Sequence, residues 1–175
     1  MMSDPNNIDL SLMNGKKGVI MGVANDHSIA WGIAQSLSAA GAELAFSYQS
    51  ETLKKRVEPL AKMLGSDLIY PCDVESSEDI EIFFNSIQNK WESIDFLVHA
   101  IAFSDKSELK GPYYNTTKEN FIKTMLVSCF SFTEVVKEAQ KIMIGGGSII
   151  TLTFDGANKV MPNYNVMGIA KAGLE

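Results

Sequence analysis

Cysteine and histidine are scarce in this chain. The 175 residues hold two cysteines, Cys72 and Cys129, and two histidines, His27 and His99. The cysteines show neither a metal spacing nor a CxxC pair, so they read as reduced residues in or near the core of a cytosolic protein. Neither histidine has partners that suggest a triad or a metal centre, and no metal is expected. No apolar run is long enough to cross a bilayer, so no membrane association is expected. The first stretch, Met1 to Asn14, is polar and lacks the basic-then-apolar order of a signal peptide. It reads as a loose leader, and the location expected is cytoplasmic. Positive charge is also short: Lys plus Arg number 15 against 21 Asp plus Glu, a net charge of −6, which argues against a nucleic-acid partner. There is no repeat at solenoid period and no low-complexity segment. What remains is ordinary globular composition, 46% hydrophobic and 21% charged, in a length that suits one domain with a sizeable core.

The order of elements is legible from apolar spacing. Gly18 to Gly22 reads as a short buried strand ending in glycine, and a polar turn follows, Val23 to His27. Ser28 is a good N-cap for a helix carrying Ile29, Ile33, Ala34 and Leu37, which stops at Gly41. Glu43 to Tyr48 is a second strand, 50–64 a second helix, and Asp67 to Pro71 a third strand. Residues 77–91 form a third helix, and Asp95 to Ile101 a fourth, nearly all-apolar strand that suits burial on both faces. A polar connection, Ser104 to Thr117, leads to one long helix over 119–144. Gly145 to Gly147 ends it, and Ser148 to Thr153 is a fifth strand. The alternation of strand and helix predicts a doubly wound parallel sheet, Rossmann-like, with right-handed crossovers.

The first strand–turn–helix unit suits a phosphate. Backbone N–H groups at a helix start and the helix dipole favour an anion, and Gly22 lets the chain turn sharply. The strict G-x-G-x-x-G fingerprint is absent: Gly22 and Gly32 are ten apart, with Ala24 and Ala30 between them. The acidic residue expected about 20 positions on would be Glu43. It stands at the start of the second strand, whereas ligands in such sheets bind beyond the carboxyl ends. Tyr48 and Gln49 are at the right end. Gln49 can hydrogen-bond an adenosine, and it neither repels a 2′-phosphate nor binds one as arginine would. Asp73 and Val74 are placed to meet an adenine; the alternative for Asp73 is a turn or helix cap.

The last stretch, Pro162-Asn163-Tyr164-Asn165-Val166-Met167-Gly168-Ile169-Ala170-Lys171, carries a phenol and an ammonium seven residues apart. On a helix that is close to two turns, so both would lie on one face. Pro162 suits the start of the helix, and Asn163 could cap it. A nearby positive charge would favour phenolate and lower the tyrosine pKa.

Taken together, GVANDHSIAWGIA, FSYQ, CDV, HAIAF and PNYNVMGIAKAGLE resemble the NADH-dependent enoyl-[acyl-carrier-protein] reductases of bacterial fatty-acid synthesis, divergent members of the short-chain dehydrogenase/reductase family. The similarity runs from about Gly15 to Glu175. It implies that Gly22, Ser28 and Ile29 match pyrophosphate-binding positions, Gln49 the adenosine side, Asp73 and Val74 the adenine contacts, and Ile101 a residue beside the nicotinamide. Ser104 matches a backbone contact to substrate. Tyr164 looks like the catalytic tyrosine and Lys171 like the lysine that holds the nicotinamide ribose. The implied cofactor is NADH, the implied substrate a trans-2-enoyl thioester on acyl carrier protein, and the implied assembly a homotetramer packed partly through the long helix. Hydride delivered to the β-carbon would build charge on the thioester oxygen, to which Tyr164 would donate.

Two departures stand out. Ten residues before Tyr164 the family commonly has a tyrosine; here it is Phe154, which keeps the ring, loses the hydroxyl, and would shape the acyl pocket. Thr151 and Thr153 are the nearest hydroxyls. The chain also stops within the helix bearing Lys171, where family members continue for roughly a further third of their length, so the C-terminal part of the fold is expected to be absent and 15–175 to be a dinucleotide-binding domain cut within its catalytic helix. Two other functions share these features: a short-chain dehydrogenase acting on a carbonyl or alcohol, and a nucleotide-binding protein without catalysis.

Overall fold

The computed structural model describes residues 11–175. Five parallel strands, β1 (Lys17–Met21), β2 (Glu43–Tyr48), β3 (Ile69–Pro71), β4 (Phe96–His99) and β5 (Ser148–Thr151), form one sheet in the order β3-β2-β1-β4-β5. Strand order reverses direction at β1, which pairs with β2 on one side and β4 on the other. The six α-helices among the described residues are α1 (Ile29–Ala39), α2 (Glu51–Met63), α3 (Ser77–Gln88), α4 (Lys118–Met125), α5 (Ser131–Ala139) and α6 (Asn165–Leu174).

Side-chain alternation along the strands splits the core into two layers. Val19, Met21, Ala45 and Leu97 face one side, against Ile80, Phe83, Phe84 and Ile87 of α3 and Val135 and Ala139 of α5. Ile20, Leu44, Phe46, Phe96 and Val98 face the other, against Ala30, Trp31 and Ala34 of α1 and Val57 and Ala61 of α2. Strands covered on both faces need continuous apolar runs, and β1, β2 and β4 supply them. Full burial of Phe46, Phe83, Ile20 and Leu97 contributes roughly 1.5–3 kcal/mol per side chain relative to exposure.

Side-chain caps explain where three of the six helices begin. Ser50, Ser76 and Thr117 accept from the N–H groups of Leu53, Asp79 and Asn120. Ser28 holds the N-cap position of α1 but makes no such bond. Its hydroxyl instead accepts from Ala24 N (3.0 Å) and Asn25 N (3.1 Å), so it organises the turn before the helix.

Two sequence expectations are corrected, and a third falls largely outside the described residues. The long helix over 119–144 is interrupted: α4 and α5 are joined by a π-helical turn, Leu126–Phe130, and a 3₁₀ turn, Gln140–Ile142, follows α5. The wider i→i+5 ring inserts a residue and rotates the helix face by part of a turn. The third strand is only Ile69–Pro71, and Asp67 lies outside it. Residues 1–10 of the expected leader lie outside the described residues; its end, 11–14, is a turn tied to the domain by Met13 N donating to Ala40 O (2.9 Å).

Candidate active site

Gly22 closes β1 with φ +103, a left-handed conformation that L side chains rarely adopt. A Cβ there would lie 2.1 Å from Ala100 O, so the β1 and β4 ends approach as closely as backbone allows. Beyond those ends lies a cleft of about 260 Å³. Its wall includes Gly22, Gln49, Asp73, Val74 and Ile101, five of the positions expected around a cofactor. They sit at the carboxyl edge of β1 to β4, beside the point where strand order reverses, which is where ligands bind in open α/β sheets. Ser28 and Ile29, at the start of α1, are not in its wall: Ser28 Oγ accepts from the N–H of Ala24, which is, and Ile29 is 70% exposed. Glu43 begins β2 at the opposite edge.

Asp73 serves as the turn cap that was the alternative reading. Its Oδ1 accepts from Glu75 N (3.0 Å) and its Oδ2 from Gln49 Nε2 (3.0 Å). The carboxylate therefore fixes which end of the Gln49 amide points at β3. Cys72, beside it, is buried, and burial pushes its thiol up to about 12, so it stays protonated and inert.

The Tyr164 region differs from the sequence picture. Tyr164 is the N-cap residue of α6, not a residue within it, and it makes no side-chain cap bond. Asn163 does not cap the helix. It lies one residue earlier in left-handed conformation (φ 58), and Asn165 after the tyrosine is also left-handed (φ 30). Tyr164, Gly156, Gly168 and Tyr113 line a second cavity of about 500 Å³. The phenol ring is seated closely: a Cβ on Gly156 would come within 2.6 Å of Tyr164 Cδ1. Phe154, 44% exposed, packs edge-on against the same ring with centroids 4.9 Å apart. Partial burial raises the Tyr164 pKa, the opposite of the expected lowering by Lys171.

Lys171 is 6% exposed and its Nζ donates to Leu152 O (2.7 Å), just past β5. Burial lowers its pKa. Its charge is thus spent on a carbonyl at the carboxyl edge of the sheet, and among the described residues no hydrogen bond joins it to Tyr164. Tyr164 lines the second cavity and Lys171 does not.

Ser104 is half-buried and its hydroxyl is enclosed in a polar cluster, accepting from Thr124 Oγ1 (2.9 Å) and Asn120 Nδ2 (3.2 Å). His99, fully buried, is satisfied by Thr151 Oγ1 (3.3 Å) and Ser131 Oγ (3.0 Å), as a structural histidine should be. His27 is an exposed loop residue beside Asp26. No group of His, Cys, Asp or Glu among the described residues could hold a metal.

Several residues here were not singled out from the sequence. The π turn brings fully buried Ser128 against the loop after β4, where its Oγ donates to Phe103 O and accepts from Phe103 N, both at 2.9 Å. Lys123 reaches Glu75 (2.8 Å) and lies 5.1 Å over the Phe103 ring at the cleft wall. Two serines in an apolar helical stretch, Ser128 and Ser131, were the available signal.

A doubly wound parallel sheet with its cleft at the carboxyl edge is a Rossmann-like α/β fold. The chain belongs to the enoyl-(acyl carrier protein) reductase family, whose profile matches residues 22–175. It is 60% identical over 164 residues to "Enoyl-[acyl-carrier-protein] reductase [NADH] 2" of Rhizobium meliloti (strain 1021), covering 94% of this chain and 61% of the relative. It is 52% identical to the NADH enoyl-[acyl-carrier-protein] reductase FabI of Rickettsia typhi, with 94% and 63% covered. Among solved structures, FabI of Candidatus Liberibacter asiaticus superposes with a TM-score of 0.92 at 58% identity, covering 94% of this chain and 64% of that one. The reductase of Anaplasma phagocytophilum, crystallised in complex with NAD, gives 0.90 at 56% identity, with 93% and 62% covered. The chain thus spans a little over three-fifths of the length of these relatives.

Proposed function

We propose that the protein reduces the trans-2 double bond of enoyl thioesters carried on acyl carrier protein, with NADH, in fatty-acid elongation. The observation that carries this reading is the coincidence of the Gly22 cleft with a high-identity match to NADH-named reductases across 94% of the chain. The donor set suits a dinucleotide: a glycine-tight turn at a helix start for pyrophosphate, Ser28 and Ile29 flanking it, and Gln49, Asp73 and Val74 for the adenosine end. Gln49, held by Asp73, offers no cation for a 2′-phosphate, which supports NADH over NADPH. Ile101 would lie beside the nicotinamide.

When bound, NADH supplies the hydride. The chain's own contribution is positional and electrostatic. Tyr164 would donate its O–H to the thioester oxygen as enolate charge gathers there, an interaction strongest in the transition state. Its raised pKa keeps that proton in place at neutral pH. Lys171 would hold the nicotinamide ribose while anchored on Leu152 O. Ser104 would present backbone to the thioester, and Phe154, lacking a hydroxyl, would wall the acyl pocket beside Tyr164.

The remaining readings follow the same family. The apolar side chains of Phe121, Ile122 and Phe130 on the α4–α5 surface are 36%, 54% and 51% exposed, which supports packing into a homotetramer. No helix among the described residues is long and apolar enough to cross a membrane, in keeping with a cytoplasmic enzyme.

The test is NADH oxidation, followed at the nicotinamide absorbance band, with crotonyl or dodecenoyl thioester and the natural full-length protein. Turnover with the enoyl thioester is expected. Oxidation only with ketones would instead support a carbonyl-acting dehydrogenase, and cofactor binding without turnover would support a non-catalytic binder.

A further inference from the structure

Tyr164 lies between two asparagines in left-handed conformation, Asn163 (φ 58) and Asn165 (φ 30). Asparagine tolerates that region better than other non-glycine residues, yet a pair of such residues around one side chain persists only where the surroundings hold it. Asn165 is held. Its Nδ2 donates to Glu108 O (2.9 Å) and to Gly111 O (3.2 Å). Both partners are carbonyls, so the atom facing them must be the nitrogen. These bonds cross from the first residue of α6 to the loop after β4, 57 and 54 residues away in sequence.

Glu108 is fixed from its other end as well. Its carboxylate accepts from Thr117 N (2.9 Å), Thr117 Oγ1 (2.9 Å) and Asn120 Nδ2 (3.2 Å). Buried Asn120 also takes Asp105 N (2.8 Å) on its Oδ1 and donates to Ser104 Oγ (3.2 Å). A continuous polar path therefore runs from Ser104 through Asn120 and Glu108 to Asn165, the neighbour of Tyr164. Ser104 and Tyr164 are both assigned to the thioester.

We infer that Asn165 is a positioning residue: its amide, clamped on Glu108 O and Gly111 O, sets the Tyr164 phenol relative to the Ser104 loop. This rests on the reductase reading for its kinetic consequence, though not for its structural one. The backbone and side-chain roles separate by substitution. Asn165→Gly keeps the left-handed backbone and removes the amide. Asn165→Asp keeps the shape and turns a donor into an acceptor facing two carbonyls.

The experiment uses the natural full-length protein, with two readouts on wild type and both variants. The first is steady-state NADH oxidation with dodecenoyl thioester. A misplacement near 1 Å costs about 10²-fold in rate, so kcat is expected to fall at least about tenfold in both variants. KM for NADH should stay within about twofold, because the cofactor wall does not include Asn165. The second readout is amide hydrogen exchange, in which protection at Asn115 to Thr117 should drop in both variants while the β1 and β4 amides keep theirs. Wild-type kcat in Asn165→Gly, unchanged loop protection, or a fall in kcat without loop loosening would each overturn the inference. If wild type itself fails to turn over the thioester, the reductase reading fails, and the exchange comparison alone still decides whether Asn165 holds the loop.

Discussion

Replacing His99 by glutamine should flatten the acid side of the stability profile. The imidazole is fully buried in β4, between Thr151 Oγ1 and Ser131 Oγ. Burial, and secondarily the Lys171 charge, lowers its pKa from 6.5 to about 4. In the unfolded chain the ring gains a proton as pH falls through about 6.5, while the folded site refuses one until about 4. The stability tied to the neutral ring is therefore complete above about pH 6.5 and is lost as pH falls from there towards 4. A gap of about 2.5 units at about 1.36 kcal/mol each gives about 3 kcal/mol for the whole loss, of which about 2 kcal/mol is gone by about pH 5. Urea unfolding of wild type and His99→Gln at about pH 7 and about pH 5 measures this directly. The wild type should lose about 2 kcal/mol more than the variant over that interval. Equal losses would refute the reasoning and show that the buried ring already accepts a proton, or that other groups dominate acid destabilisation.

Gly22→Val should be among the most damaging substitutions: positive φ and a Cβ 2.1 Å from a backbone carbonyl combine to cost on the order of 3 kcal/mol, read by urea midpoint, with loss of NADH binding by fluorescence. Ser128→Ala would leave the Phe103 N–H and C=O without their partner in the fold, costing roughly 1–2 kcal/mol by denaturant unfolding, since partly solvated groups recover some bonding from water. Phe154→Tyr should leave kcat within about threefold, since the Phe154 ring already seats Tyr164; a gain of about tenfold or more in steady-state assays would mean that a needed hydroxyl is missing.

The layers of the fold were legible because burial on both faces leaves a plain mark. Strands such as Val19-Ile20-Met21 and Phe96-Leu97-Val98 tolerate no polar residue except one that finds partners, as His99 does. The Gly22 turn was legible for the same kind of reason, since no other residue takes that backbone so close to β4. Features set by tertiary bonds were not. Nothing in the periodicity of residues 119–144 marks where a helix will admit an extra residue, because the π turn is stabilised by Ser128 reaching Phe103 and Ser131 reaching His99. The place of Tyr164 at the helix cap depends on the left-handed asparagines, and Asn165 is held by a loop more than fifty residues away. The direction of the Tyr164 pKa was misread because helical spacing alone placed Lys171 beside it, whereas the Leu152 carbonyl engages that ammonium.

Hydride delivery to the β-carbon is the central claim, and isotope transfer tests it most directly. The full-length protein is given NADH deuterated at C4 of the nicotinamide and a trans-2-enoyl thioester in ordinary water, and the product is read by mass spectrometry and NMR. One deuterium at the β-carbon, with the α-carbon protonated from solvent, is the expected result. Label at a carbonyl-derived carbon, or no label in the saturated product, would contradict it.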